Sequence, residues 1–195
     1  MNDLFTLDER MIHMLSKLFS TKQREMILDH MLGKPSAGYR VRELSKNFAV
    51  SVGSVSQFLS LLKKNKILKR KGDVFYIDTK NPLTIALKIA LNVYKMEFAI
   101  LKKMPGLLGV GVYGSWANGT NKEDSDIDVW VKIKESVGED VVAGISRKLN
   151  QKMKSKVELL VLDQTKIDVL KMEDPIFYYS LVFGSIVING EALED

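Results

Sequence analysis

The sequence predicts an α/β domain in the second half of the chain, preceded by a mainly α domain. Three observations carry this reading. Two β-prone apolar runs, residues 110–113 and 127–131, flank a Gly-Ser turn, whereas helix-capping patterns and 3.6-residue apolar spacing crowd into the first 65 residues. Charge also changes sign along the chain. Residues 1–80 carry 15 Lys/Arg against 8 Asp/Glu, residues 81–104 carry 4 against 1, and residues 105–195 carry 10 against 15, for net charges of +7, +3 and −5. A basic half joined to an acidic half predicts two different partners, one of them polyanionic.

A chain of 195 residues, 46% of them hydrophobic, holds one large or two small domains with real cores. Its apolar runs fall short of the about 20 residues that span a bilayer. Asp3, Asp8 and Glu9 interrupt any leader-like opening, so a cytoplasmic protein is expected. With no cysteines there are no disulfides and no thiolate metal sites. His13 and His30 lie far apart in helical patterns and read as surface or boundary residues rather than ligands.

In the basic half, Thr6 with Glu9 and Ser20 with Gln23 have capping-box spacing, which predicts helices over residues 7–19 and 21–32, the second closed by Gly33. Residues 41–48 form a short helix, and Ser51 caps another reaching about Asn65. In that helix Val52, Val55, Phe58, Leu59 and Leu62 share one face, leaving Gly53, Ser56, Gln57, Ser60 and Lys64 on the other. Residues 67–70, a Lys71-Gly72-Asp73 turn and residues 74–77 then read as a β-hairpin.

Three helices followed by a basic hairpin resemble the winged helix-turn-helix family over about residues 20–80. The resemblance implies that the helix after Ser51 is a DNA-recognition helix, with Ser56, Gln57, Ser60 and Lys64 facing the groove and Lys69, Arg70 and Lys71 on the wing near phosphates. The same architecture also serves as a protein–protein or dimerisation module, so both uses stay open.

Asn81 and Pro82 start a long helix with Leu83, Leu87, Leu91, Tyr94, Phe98 and Leu101 among its apolar positions, ended by Pro105-Gly106. A helix apolar on more than one side is expected to contact both domains, and a homodimer would give it a further surface. The expected division is residues 1–80, a linker helix over 81–104, and an α/β domain over 105–195.

That last domain reads as strand, helix, strand, helix, strand, with the second helix over 139–153, a further helix opened by Asp174-Pro175, and a closing strand over 185–188. Backbone N–H groups at the Gly114-Ser115 turn are donors for phosphate oxygens. In the next strand side chains alternate, so Asp126 and Asp128 share a face while Ile127, Val129 and Val131 enter the core. Two carboxylates on one face repel unless cations hold them. Hard oxygen ligands suit Mg²⁺, which keeps coordination positions for water and phosphate, and a nucleoside triphosphate fits between turn and cation.

Gly114-Ser115, ten intervening residues and Asp126-Ile-Asp128-Val resemble the signature of the DNA polymerase β-type nucleotidyltransferases, especially the minimal, antitoxin-like members. The resemblance implies a mixed-sheet nucleotidyltransferase fold and a third carboxylate on the next strand, where residues 156–163 offer Glu158. Asp is the more usual residue there, so Glu158 is a departure. Asp124 and Ser125 shape the approach to the strand and are not ligands.

By the same resemblance, two Mg²⁺ ions held by Asp126, Asp128 and Glu158 would act on an NTP, with ATP the first choice, while Gly114 and Ser115 donate to its phosphates. The acceptor class implied is a partner protein, such as a tyrosine of a HEPN-type toxin. Trp130 shares the aspartates' face and either flanks the base or packs; Tyr178 and Tyr179 read as core and boundary, and Met96, Met104, Met153 and Met172 as gap fillers. The rival reading is a DNA-binding transcriptional regulator whose second domain senses nucleotide or binds a partner. Salt bridges from Lys122, Lys132 or Lys156 into the carboxylate cleft would favour that rival.

Overall fold

The computed structural model describes residues 3–194, with side chains from residue 11 onward. The chain divides into two compact units, residues 1–85 and 86–195.

The first unit contains helices α1 (Asp3–Leu18), α2 (Lys22–Gly33), α3 (Val41–Phe48) and α4 (Val52–Lys64), then strands β1 (Leu68–Lys71) and β2 (Val74–Ile77). The Thr6–Glu9 pair falls outside the described side chains. Thr21, rather than Ser20, caps α2, its Oγ1 accepting the Arg24 N–H at 3.2 Å; the Ser20 hydroxyl turns back to the Lys17 carbonyl at 3.2 Å. Ser51 caps α4 as expected, accepting from the Ser54 N–H at 3.2 Å.

Val55, Phe58, Leu59 and Leu62 of α4 are buried with Ile27, Leu28 and Met31 of α2. Val52 is 52% exposed and does not join them. It occupies the first helical turn, ahead of the packed stripe. β1 and β2 pair antiparallel from Leu68↔Ile77 to Lys71↔Val74, leaving a two-residue turn with Gly72 at φ +63°, which glycine adopts without steric cost. Tyr39 adds an antiparallel bridge to Phe75, with backbone bonds of 2.8 and 2.9 Å. His30 is half-buried with its ring edge-on to Tyr39 and Phe48, and His13 is exposed.

Helix α5 (Pro82–Lys95) crosses the division between the units, and α6 (Phe98–Leu101) follows it. Asn81 caps α5 through its side-chain oxygen, which accepts from Leu83 N–H at 2.9 Å. The single long helix expected through Leu101 is broken after Lys95. Glu97 takes φ −80°, ψ 65° and the Phe98 N–H donates to the Met96 carbonyl at 2.9 Å, the geometry of an inverse γ-turn. That turn sends Met96 into the core, where it is 8% exposed. Tyr94, expected on the apolar face, is 80% exposed, while Thr84, Lys88 and Asn92 form a buried polar stripe at four-residue intervals.

The second unit is a mixed α/β layer structure. Its strands are β3 (Leu107–Tyr113), β4 (Ile127–Ile133), β5 (Val157–Leu162) and β6 (Ile186–Gly190), in the spatial order β5-β4-β3-β6. β3 runs antiparallel to both β4 and β6, and β4 runs parallel to β5. The helices are α7 (Gly114–Asn118), α8 (Glu139–Met153), α9 (Gln164–Glu173) and α10 (Pro175–Gly184). Helix α9 is not foreseen in the sequence reading; Asp163 caps it by accepting from the Lys166 N–H at 2.9 Å.

Both sheet faces carry cores: β4 is apolar at every residue of one face, and on the other Trp130 alone is apolar between Asp128 and Lys132. One core joins Ile127, Val129, Val131 and Ile133 to Leu101, Ile145 and Leu149. The other is built on Trp130 with Leu162, Ile167, Tyr178 and Leu181. Gly111 makes room for Trp130: a Cβ there would lie 2.3–2.5 Å from the indole. Tyr179 is 42% exposed, consistent with a boundary place, but Met172 is 83% exposed and fills no gap. No helix among the described residues is long and apolar enough to cross a membrane.

Candidate active site

β3 ends at Tyr113 in extended conformation, and Gly114 turns the chain with φ +64° into α7. Only glycine fits this corner, since a Cβ on Gly114 would stand 2.4 Å from Asp128 Oδ2. Gly119, at φ +66°, ends the short helix, and the Thr120 and Asn121 N–H groups return to the Ser115 carbonyl at 3.0 and 3.2 Å. Beneath this turn, Asn92 of α5 donates to the Trp116 carbonyl and the Asn121 side-chain oxygen, each at 2.9 Å. Lys88 donates to the Asn121 carbonyl. These buried polar contacts fix the turn to the helix below it.

Registration of three strands assembles the acidic face. Tyr113 pairs with Asp128, and Asp128 pairs with Glu158, so the three stand in one row across β3, β4 and β5. Asp126 precedes β4 by one residue and shares the face of Asp128 by alternation. The strand start is fixed by the Ile127 N–H donating to the Lys156 carbonyl at 2.8 Å. Farther along the same face Trp130 is completely buried, so it packs and does not reach a base; its indole N–H has no partner in the structure. Asp124 is exposed, and Ser125 closes a local turn by accepting the Lys122 N–H at 2.8 Å.

Among these groups the Asp128 carboxyl and the Tyr113 hydroxyl are perturbed. Burial pushes the Asp128 carboxyl above its ordinary value, helped by repulsion from Glu158 and Asp126 and opposed by Lys156. Tyr113 is likewise raised, by burial first and then by the negative charges of Asp128 and Glu158. Lys156 supplies the opposite charge. Its ammonium lies 3.4 Å from Asp126 Oδ2 and in contact with Glu158 Oε1, and hydrogen bonding to Glu158, then to Asp126, raises its pKa. Alternation places Lys156 on the face of Glu158, so its presence was readable; its reach across to Asp126 was not.

Of the other two lysines that bear on the rival reading, Lys122 is exposed in the turn closed by Ser125, and Lys132 is buried and pairs with Glu191 at 3.0 Å, away from the carboxylate row. Among the described residues no group of three or more His, Cys, Asp or Glu side chains is gathered as a ready metal cluster. The donor set is nonetheless chemically suited to a hard divalent cation: carboxylate oxygens repelling one another beside a turn kept open by a missing Cβ.

In the first unit, Ser56, Gln57, Ser60 and Lys64 all lie on the exposed side of α4. Lys69 is paired with Asp78 at 2.9 Å, holding that carboxyl below its usual range. Arg70 donates to the Gly72 carbonyl at 2.7 Å and stacks over Phe75, 5.3 Å from the ring centre. Lys71 is exposed at the hairpin tip.

Residues 98–174 match the family described as Polymerase beta, Nucleotidyltransferase, a span holding the turn and all three candidate carboxylates. No curated protein matches the chain. Among solved structures, the chain is similar to a toxin–antitoxin with AMP-PNP at 21% identity, over 51% of this chain and 74% of that one, with a TM-score of 0.41. It is also similar to a tri-AMPylated Shewanella oneidensis HEPN toxin in complex with MNT antitoxin, at 18% identity over 53% and 73% of the two chains, with a TM-score of 0.38. A third similar structure is the toxin–antitoxin MntA–HepT, at 19% identity over 52% and 73%, with a TM-score of 0.37.

Proposed function

We propose that the second unit is a Mg²⁺-dependent nucleotidyltransferase that moves a nucleoside monophosphate from an NTP, with ATP the first candidate, onto a hydroxyl of a partner macromolecule. The observation that carries the reading is the registered row Tyr113–Asp128–Glu158 with Gly114 packed against Asp128 and Asp126 two residues before it. In this reading Asp126, Asp128 and Glu158 would be the residues that hold the divalent cations. Bound there, the cations would neutralise the triphosphate and lower the proton affinity of the acceptor hydroxyl.

The chain's own groups do the rest. Gly114 and Ser115 direct backbone N–H groups toward phosphate oxygens, where charge grows as pyrophosphate departs. The Asn92 and Lys88 contacts hold that turn at a fixed height above the carboxylates. Tyr113, its pKa raised by burial and then by the charges of Asp128 and Glu158, offers a neutral hydroxyl beside Asp128 rather than another negative charge. The acceptor class we favour is a protein hydroxyl, as the minimal nucleotidyltransferase resemblance implies. The first unit would act as a winged helix, contacting DNA phosphates with Lys64 and Lys71 and bases with Gln57 and Ser60.

A second reading is favoured by the Lys156 contacts, in which one ammonium offsets part of the negative charge of Asp126 and Glu158. It makes the protein a DNA-binding regulator whose second unit only senses nucleotide. Calorimetric titration with ATP, with and without Mg²⁺, tests the site common to both. We expect Mg²⁺-dependent binding that Asp126→Asn abolishes; binding indifferent to Mg²⁺ and to Asp126 would reject the assignment of these carboxylates.

A further inference from the structure

Lys156 sits where a cation would be expected. It precedes β5 by one residue, lies opposite the start of β4, and its ammonium touches Asp126 and Glu158, whereas it has no ion pair with Asp128. Its side chain is 62% exposed, on a long flexible stem. Exposed ion pairs are weak and easily exchanged. An ammonium and a divalent cation cannot both occupy the same carboxylate oxygens, so the Lys156 contacts and cation binding at Asp126 and Glu158 exclude one another. A triphosphate arriving with its cation brings a new set of anionic oxygens for the displaced ammonium.

We infer that Lys156 is an exchangeable counter-ion: in the nucleotide-free protein its ammonium holds Asp126 and Glu158, and on loading it cedes them to the divalent cation and pairs with the triphosphate. The inference rests on the reading of Asp126, Asp128 and Glu158 as a cation site. Its consequence is coupling. Bare cation must compete with a resident positive charge, whereas cation and nucleotide together repay the exchange, so the site selects the metal–nucleotide complex over metal alone. No covalent step is involved, only exchange of ion pairs.

The test is binding, not turnover. Mn²⁺ is titrated into the full chain and free Mn²⁺ is read by its electron paramagnetic resonance signal; labelled ATP is then titrated at saturating Mn²⁺ by equilibrium dialysis. Lys156→Met should bind Mn²⁺ alone roughly tenfold more tightly than wild type and Mn²⁺-loaded ATP roughly tenfold more weakly, an inversion that loss of structure does not produce. An unchanged melting temperature verifies that the exposed substitution leaves the fold intact. If Mn²⁺ binds in an Asp126-dependent way but its affinity is indifferent to residue 156, the counter-ion role is wrong and the cation site stands. If neither wild type nor Lys156→Met binds Mn²⁺ even with ATP, the cation site itself falls, and the inference with it.

Discussion

Replacing Gly114 by Ala perturbs the proposed site through one methyl group. The backbone at Gly114 has φ +64°, a region that costs an L-residue about 1–2 kcal/mol. The new Cβ would stand 2.4 Å from Asp128 Oδ2, against 3.4 Å or more for ordinary contact, so the carboxylate or the turn must yield by about 1 Å. Asp128 sits on a strand whose register with Tyr113 and Glu158 is fixed by neighbours on both sides, so the shift falls on the site geometry rather than being absorbed. A displacement of about 1 Å in a positioned group costs roughly 100-fold in rate.

Gly114→Ala should therefore lose about 1–2 kcal/mol in urea unfolding and roughly 100-fold in nucleotidyl transfer. Gly72→Ala is the matched control. Its φ is +63° with nothing within 4 Å of the added Cβ, so it carries the strain without the crowding and should leave transfer unchanged. A folded Gly114→Ala protein with transfer near that of wild type would refute the argument that this glycine sets the position of Asp128.

Three further outcomes follow from the same geometry. Asp128 has a raised folded-state pKa, so its charge weakens the fold above that pKa and the penalty is relieved as pH falls through it; Asp128→Asn should stabilise the metal-free protein at neutral pH by about 0.5 kcal/mol after solvent screening, and a lower melting temperature would contradict this. Asn92→Ala removes donors to the Trp116 carbonyl and the Asn121 side chain in a buried setting and should cost about 1–3 kcal/mol in urea unfolding, whereas no loss would mean the turn is not held from below. If the first unit binds DNA, Lys64→Ala and Lys71→Ala should each reduce the salt slope of duplex binding by about 1, with Lys69→Ala doing less because that lysine is engaged with Asp78; anisotropy across a salt titration measures it, and equal effects at all three positions would remove the distinction.

The parts of this architecture legible in the sequence are those with local causes. Ser51 and Asn81 cap their helices, Gly72-Asp73 turns the hairpin with Lys71 as the last residue of its first strand, and the Gly-Ser corner precedes the acidic strand, because each depends on a few adjacent residues. Strand alternation correctly places Ile127, Val129 and Val131 in a core. It misses the second core on Trp130, since alternation assigns faces but not what covers them.

The break at Glu97 has no Gly or Pro to announce it and goes with the burial of Met96. The Thr84–Lys88–Asn92 stripe looks like an ordinary solvated face until Trp116 and Asn121 come to meet part of it. Lys156 is the instructive case. Its face follows from Glu158 two residues later, but its contact with Asp126 depends on parallel pairing of segments thirty residues apart, which no local pattern encodes.

Incubation of the protein with Mg²⁺ and α-labelled ATP, CTP, GTP and UTP in parallel, alone and with a lysate of its source, tests the central claim most directly, with Asp126→Ala/Asp128→Ala as the control. The account predicts label transferred to a macromolecule by the intact protein and not by the double variant. Specific DNA or nucleotide binding with no label transferred from any of the four nucleotides would contradict it and make the protein a regulator.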